Sequence, residues 1–235
     1  ADFIVSKECF NVANEFYDNS AVATGPISSW FWDFGDGTTS TLQNPTHTYT
    51  SPGQKIAKLV VTTNGGCQDS IIKPVTVYAL PVALFQPTPV CENLAAVFVQ
   101  NSTSESGILS QFYWDFGDGV GNSYVSGPVY DYSQPGLYSV TLSVETQFGC
   151  EDTAVRNMRV YPAPVAAFSW KNNICEGTEL PIYDLSTIVQ VTPGGDQITN
   201  WHWNINDQIS TLQNPIFLTT VAVQTHASLI VTTNY

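Results

Sequence analysis

From Trp30 to Phe34 the chain reads Trp-Phe-Trp-Asp-Phe, with Trp30, Trp32 and Phe34 on one side of a two-residue period and Phe31 and Asp33 on the other. Such alternation marks a strand with one face in a core. Gly35-Asp36-Gly37 follows at once, and glycine beside aspartate supplies the positive φ that tight turns require. Trp32-Asp33-Phe34-Gly35-Asp36-Gly37 therefore predicts a core strand running into a tight turn. The stretch returns letter for letter as Trp114-Asp115-Phe116-Gly117-Asp118-Gly119, and in altered form as Trp203-Asn204-Ile205-Asn206-Asp207-Gln208. Three copies of one strand-and-turn unit predict three copies of one small domain.

The rest of each copy fits around this stretch. In the first, apolar alternation predicts strands over residues 1–5, 12–17, 54–63 and 70–77, separated by Asn44-Pro45, Ser51-Pro52-Gly53 and Asn64-Gly65-Gly66. The second repeats the order, with strands over 95–99 and 112–116. About seven short strands per copy, with turn chemistry between them and no helical period, predict an all-β sandwich. The domains fall at residues 1–79, 80–162 and 163–235. Val77-Tyr78-Ala79-Leu80-Pro81-Val82 and Val160-Tyr161-Pro162-Ala163-Pro164-Val165 join them. Joints this short, with proline, predict a semi-rigid string. The third copy departs from the pattern: Phe34, Gly35 and Gly37 give way to Ile205, Asn206 and Gln208, Thr219 stands for Tyr49, and no Pro-Gly turn follows. A looser turn is expected there. The third copy also reads as cut short, since Ile230-Val231-Thr232-Thr233-Asn234 repeats the run before Gly65-Gly66-Cys67, and the sequence stops one residue later.

The aromatic hexapeptide resembles that of the PKD (polycystic kidney disease) domain, an immunoglobulin-like β-sandwich. The resemblance extends to Pro45-Thr46-His47-Thr48-Tyr49, the Ser51-Pro52-Gly53 turn and Leu59-Val60-Val61-Thr62, and to Pro128-Val129-Tyr130-Asp131-Tyr132, Gln134-Pro135-Gly136 and Val140-Thr141-Leu142-Ser143-Val144. It covers nearly the whole chain as three tandem domains. Strands of this size are roughly 20–33 Å long, so three units joined end to end imply a rod on the order of 100 Å.

Charge narrows the partners. Acids outnumber bases 20 to 7, for a net charge of −13, and each copy is acidic on its own. Nucleic acid binding needs a basic patch, and none is present. No apolar run is long enough to span a membrane. Charged residues are only 11% of the chain, the profile of an extracellular all-β protein rather than an average cytosolic one.

Cys9, Cys91 and Cys175 precede the second strand of each copy, and Cys67 and Cys150 follow the long strand. No Cys-x-x-Cys pair suggests a metal site. One early and one late cysteine per copy predicts disulfides Cys9–Cys67 and Cys91–Cys150, with Cys175 unpaired in this segment and an oxidising, extracellular setting. The alternative is free thiols in a cytosolic protein. Asp33 with Asp36 and Asp115 with Asp118 accept backbone N–H bonds in such turns. A Ca²⁺ ion is the other reading of these carboxylates, though calcium takes six to eight oxygens. The histidines His47, His202 and His226 are scattered. No catalytic triad, phosphate loop or nucleotide fingerprint assembles, so catalysis and cofactors are not expected. Phe31, Tyr113 and His202 face away from Trp32, Trp114 and Trp203; they are read as covered by neighbouring loops, the alternative being exposed rings that stack on a sugar or a partner protein. Asp69-Ser70-Ile71 and Asp152-Thr153-Ala154 resemble the O-glycosylation tripeptide of Bacteroidota, which marks Ser70 and Thr153.

Three functions remain. The cysteine spacing and Gly-Cys-x-Asp pattern resemble the PKD arrays of Bacteroidota gliding-motility adhesins and surface filaments. That implies a non-catalytic stalk or filament segment of a large extracellular or cell-surface protein. Its partners would be further PKD domains, other copies of the filament, or a glycan or surface-protein ligand. The second is an accessory module that binds polysaccharide or protein substrate for a secreted hydrolase. The third is a eukaryotic receptor ectodomain.

Overall fold

The computed structural model describes residues 1–23, 25–170, 175–191, 195–219 and 226–235. Among these, every regular element is a strand. The first repeat holds β1 (Phe3–Ser6), β2 (Ala13–Asp18), β3 (Ile27–Asp33), β4 (Thr39–Ser40), β5 (Thr46–Thr48), β6 (Gly53–Thr63) and β7 (Gln68–Val77). The second holds β8 (Val90–Cys91), β9 (Ala96–Val97), β10 (Leu109–Asp115), β11 (Asn122–Ser123), β12 (Val129–Tyr130), β13 (Gly136–Thr146) and β14 (Glu151–Tyr161). The third holds β15 (Phe168–Trp170), β16 (Glu179–Asp184), β17 (Ile198–Ile205), β18 (Gln208–Ser210), β19 (Ile216–Leu218) and β20 (Ala227–Thr233). The all-β, immunoglobulin-like fold expected from the sequence is present. Two compact units are formed, one by Ala1–Gln86, Val99–Pro128 and Val140–Arg156, the other by Pro87–Phe98, Val129–Ser139 and Asn157–Tyr235. The division passes through the second repeat.

In the first unit, β1-β2-β5 make one sheet and β4-β3-β6-β7 the other, the two layers of a sandwich. Alternation along β3 sends Trp32 inward, where it is fully buried. It meets Phe3 edge-on at 5.3 Å and Phe16 at 5.7 Å, so rings from both layers interlock. Phe34, Tyr49, Leu59, Val61, Val75 and Val77 complete this core. Each fully buried large side chain contributes about 1.5–3 kcal/mol over leaving it in water. Trp32 Nε1 donates to the Leu42 carbonyl at 2.9 Å, which leaves its one polar atom satisfied. The Tyr49 hydroxyl donates to the Phe34 carbonyl at 3.0 Å, pinning the strand end before the turn, and burial pushes the phenol pKa up. In the same unit β10 pairs antiparallel with β13, Trp114 opposite Leu142, and Trp114 Nε1 donates to Val125 O at 3.1 Å.

In the second unit, β15-β16-β19 and β18-β17-β20 restate the first repeat's β1-β2-β5 and β4-β3-β6. Leu180, Ile182, Trp203, Ile205 and Phe217 form its core, and Trp203 Nε1 donates to Leu212 O at 2.8 Å. The turn after Trp203 is tighter than the first repeat's, not looser. Ile205 pairs directly with Gln208, leaving a two-residue loop. Asn206 and Asp207 both take positive φ, 46° and 68°, as a type I′ hairpin requires. The first repeat closes one residue wider, with Phe34 N donating to Thr38 O at 3.1 Å. Asn and Asp tolerate the left-handed region better than other residues with a side chain, so losing both glycines leaves the hairpin intact.

Candidate functional site at the joint between repeats

Lys7 takes φ 54° after β1 and turns the chain so that Cys9 lies beside the end of β7. Tyr78 N donates to Glu8 O and Phe10 N to Tyr78 O, both at 2.8 Å, a parallel bridge between Cys9 and Tyr78. Cys150 sits in the turn joining β13 to β14, where Thr146 N donates to Cys150 O at 2.9 Å and Cys150 N to Thr146 Oγ1 at 3.2 Å. Cys9 and Cys150 form a disulfide with Cα atoms 5.6 Å apart, and both are buried.

This pairing replaces the expected Cys9–Cys67 and Cys91–Cys150 bonds. Cys67, Cys91 and Cys175 are exposed free thiols. The reason is strand direction. Cys67 immediately precedes β7, whereas Cys9 is held beside Tyr78, immediately after it. The ten residues of β7 at about 3.3 Å each therefore separate the two cysteines along the strand. A disulfide tolerates no more than about 7 Å between Cα atoms. An early and a late cysteine of one repeat lie at opposite ends of its sheet. The late cysteine that reaches Cys9 belongs to the next repeat.

Other contacts surround the bond. Tyr78 stacks on Phe148 with centroids 3.8 Å apart and planes 5° from parallel. Gly107, at φ +78°, lies under that ring, and a β-carbon there would come within 2.6 Å of Phe148 Cε2. Gln147 N donates to Ile108 O at 3.0 Å. Ala79 N donates to Ser106 Oγ at 3.0 Å and Ala83 N to Asp152 Oδ2 at 2.8 Å. The joint is thus covalent, stacked and hydrogen-bonded over a few residues.

The turn residues do local work. Asp33 Oδ1 accepts from Gly35 N at 2.9 Å, and Asp36 Oδ1 from Thr38 N at 3.1 Å and Thr38 Oγ1 at 2.6 Å. Asp115 Oδ1 accepts from Gly117 N at 2.9 Å, and Asp118 Oδ1 from Val120 N and Gly121 N. Gly35 and Gly37 take φ of 78° and 90°, and Gly117 and Gly119 both 77°. His47, read from sequence as isolated, lies 2.7 Å from Asp36 Oδ2, donating to the carboxylate, and stacks on Phe34 at 4.2 Å. Burial acts upward on the Asp36 carboxyl, but hydrogen bonds from Thr38 and His47 outweigh it and hold the group below the usual carboxylate range. The pair spans a turn and a strand that close only in three dimensions, so its sequence separation gave no signal. Among the described residues, no group of three or more His, Cys, Asp or Glu side chains is placed to hold a metal.

Phe31 and Tyr113 are not covered by loops as expected: they are 44% and 37% exposed, and His202 is exposed as well. Tyr113 meets Tyr124 at 5.2 Å beside a shallow groove lined also by Gln111, Glu145 and Glu151. Ser70 and Thr153 are exposed, with Thr153 Oγ1 3.0 Å from Ser143 Oγ. Among the described residues no helix is long and apolar enough to cross a membrane.

Stretches of this chain are similar to short parts of several known proteins. A Vibrio alginolyticus protein named microbial collagenase is 43% identical over 63 residues, 27% of this chain and 8% of that protein. The pre-pro-metalloprotease PrtV of Vibrio cholerae is 42% identical over 80 residues, 34% of this chain and 8% of its own length. Among solved structures, the PKD1 domain of Vibrio anguillarum Epp is 31% identical with a TM-score of 0.33, covering 35% of this chain and 95% of that domain. The PKD domain family model matches residues 11–77 and 78–160, together more than half of the sequence, and the chain belongs to the PKD domain family.

Proposed function

We propose that this chain is a non-catalytic, load-bearing stretch of PKD domains, residues 1–79, 80–162 and 163–235, in a larger extracellular protein, serving as a stalk or adhesive filament. The observation that carries this reading is the Cys9–Cys150 bond, because a covalent link from one repeat to the next resists separation under tension. Disulfides persist in oxidising compartments, which favours an extracellular site. The Gly-Cys-x-Asp pattern favours an array of the kind found in Bacteroidota surface adhesins, with further PKD domains as its neighbours. The acidic charge of −13 keeps such segments apart in solution.

Pulling the chain from its two ends tests this. With the disulfide intact, the residues between Cys9 and Cys150 stay locked and add no length. Reductant should release roughly 500 Å of further extension, at about 3.3–3.6 Å per residue. An extension that is unchanged by reductant would overturn the load-bearing reading. Small-angle scattering tests the rod, since a compact protein of this length has a radius of gyration of about 17–18 Å.

A second reading is favoured by the relatives, which carry the names collagenase and metalloprotease. On it, the repeats are an accessory segment that holds a polymeric substrate for a hydrolase, and the exposed Tyr113 and Tyr124 rings are the contact. Saturable binding to collagen or to insoluble polysaccharide, lost in Tyr113→Ala, would favour this reading over the stalk.

A further inference from the structure

The frame of the first joint recurs between the second and third repeats. Tyr161 takes the place of Tyr78, and it forms a parallel bridge with Cys91 as Tyr78 does with Cys9. Glu92 N donates to Tyr161 O at 2.7 Å, as Phe10 N does to Tyr78 O. Tyr235 stacks on Tyr161 with centroids 3.7 Å apart, where Phe148 stacks on Tyr78. Asn234 N donates to Gln197 O at 3.3 Å, as Gln147 N does to Ile108 O. Where Gly107 makes room for Phe148, the buried Asp196 accepts from the Tyr235 hydroxyl and pairs with Arg159 at 2.8 Å. Ring, backbone frame and early cysteine therefore stand in the register of the first joint. At that joint the bonding thiol comes two residues after the stacked ring, from Phe148 to Cys150. Cys91 is exposed and free.

We propose that Cys91 is the receiving half of a second disulfide between repeats, its site shaped for a cysteine thiol placed two residues after the Tyr235 ring. Bond formation removes one proton from each thiol and passes two electrons to a disulfide oxidant, such as oxidised glutathione, which leaves as two thiols. The rule is general: the early cysteine of one repeat bonds the late cysteine of the next. In any longer array, the same rule assigns Cys67 to a repeat before this segment and Cys175 to one after it. Disulfides then run in series from domain to domain rather than closing each domain on itself.

The test appends Gly-Cys after Tyr235 and oxidises the full chain in a glutathione buffer, with Gly-Gly-Cys as a variant one residue out of register. Alkylation and peptide mapping should find Cys91 bonded to the appended cysteine, with Cys67 and Cys175 still free and Cys9–Cys150 unchanged. The in-register bond should survive at least about tenfold more reduced glutathione than the shifted one, because strained disulfides are the more readily reduced. Tyr161→Ala in the extended chain should lower the yield by removing the stack that sets the register. The proposal is overturned if Cys91 alkylates as freely as in the parent chain, if the appended cysteine bonds Cys67 or Cys175 instead, or if the shifted variant closes equally well. The readout is a set of thiols and does not depend on whether the chain acts as a stalk.

Discussion

The first and third repeats hold the same buried tryptophan by the same indole hydrogen bond, to Leu42 in one and Leu212 in the other, yet close the following turn by different means. The first uses Gly35 and Gly37 at positive φ in a wider loop. The third uses Asn206 and Asp207 in a two-residue hairpin. The difference teaches which part of the hexapeptide specifies the fold. The tryptophan and its strand are common to both repeats, while the glycines answer to local geometry. Gly35 is fixed twice over, because a β-carbon there would lie 2.3 Å from the Ile56 carbonyl oxygen. The repeats also differ in covalent state, since Cys9 is bonded and Cys175 is free.

The largest expected effect tests that covalent difference. Reducing Cys9–Cys150, whose partners are 141 residues apart, should remove up to about 5 kcal/mol by the chain-entropy estimate. Hydrogen exchange resolved by repeat should show β3 and β6 opening more often while β17 and β20 stay unchanged. Equal loosening in both repeats would remove the distinction.

Next in size is Gly35→Ala, which should cost about 3 kcal/mol or more in the first repeat through the backbone collision and the left-handed φ. Asn206→Ala in the third should cost about 1–2 kcal/mol, since it loses the φ preference and the hydrogen bond that Asn206 Oδ1 accepts from His226 N at 3.0 Å. Urea melts of the full chain, read by exchange at β3 and β17, compare the two. Gly37 takes φ 90° but has open space around it. Gly37→Val should therefore cost about 1–3 kcal/mol, and Gln208→Val only about 0.5–1.5 kcal/mol, the range for the bond its Nε2 donates to Leu218 O at 2.9 Å.

A further contrast brings in the second repeat. Trp30 Nε1 donates to Asp18 Oδ2 at 2.7 Å and Trp201 Nε1 to Asp184 Oδ2 at 2.8 Å. The second repeat has Phe112 and Gln100 at these places, and Gln100 Oε1 accepts from Ser102 N at 2.7 Å as Asp18 does from Ser20 N. Trp30→Phe should cost about 1.5–3 kcal/mol, the range for a hydrogen bond to a charged group. Adding Asp18→Gln should restore part of the loss, because the pair then matches the second repeat.

The smallest expected effect is acid sensitivity. Burial acts upward on Asp18 and Asp184, and their hydrogen bonds outweigh it, so both sit below the usual carboxylate range. Asp36 does the same in the first repeat, where its partner His47 has Phe217 as counterpart in the third. A depressed folded-state pKa gives stability that is complete above the unfolded value near 4 and is lost as pH falls through the folded one. Thermal melts between pH 5 and pH 2, with exchange read by repeat, should show both repeats weakening and the first weakening more. His47→Phe should narrow that gap.

What the sequence determined was whatever rests on local periodicity. Alternation around Trp32 and Trp114 and the glycine turns specified strands, core faces and a sandwich, because a two-residue period can satisfy only a half-buried strand. The expected burial of Phe31 and Tyr113 failed because alternation tells which face a residue takes but not what, if anything, lies over that face. The turn in the third repeat is tighter than expected for a related reason: the loss of glycine shows in the sequence, whereas the one-residue shortening that lets Asn206 and Asp207 take over shows only in the strand pairing. The cysteines show the limit most plainly. Their matching positions within each repeat favoured bonds inside a repeat, yet Cys9 and Cys67 are kept apart by the length of β7, while Cys150 is brought to Cys9 by the joint. Pairing depends on distance in space between strand ends, which only the tertiary structure decides.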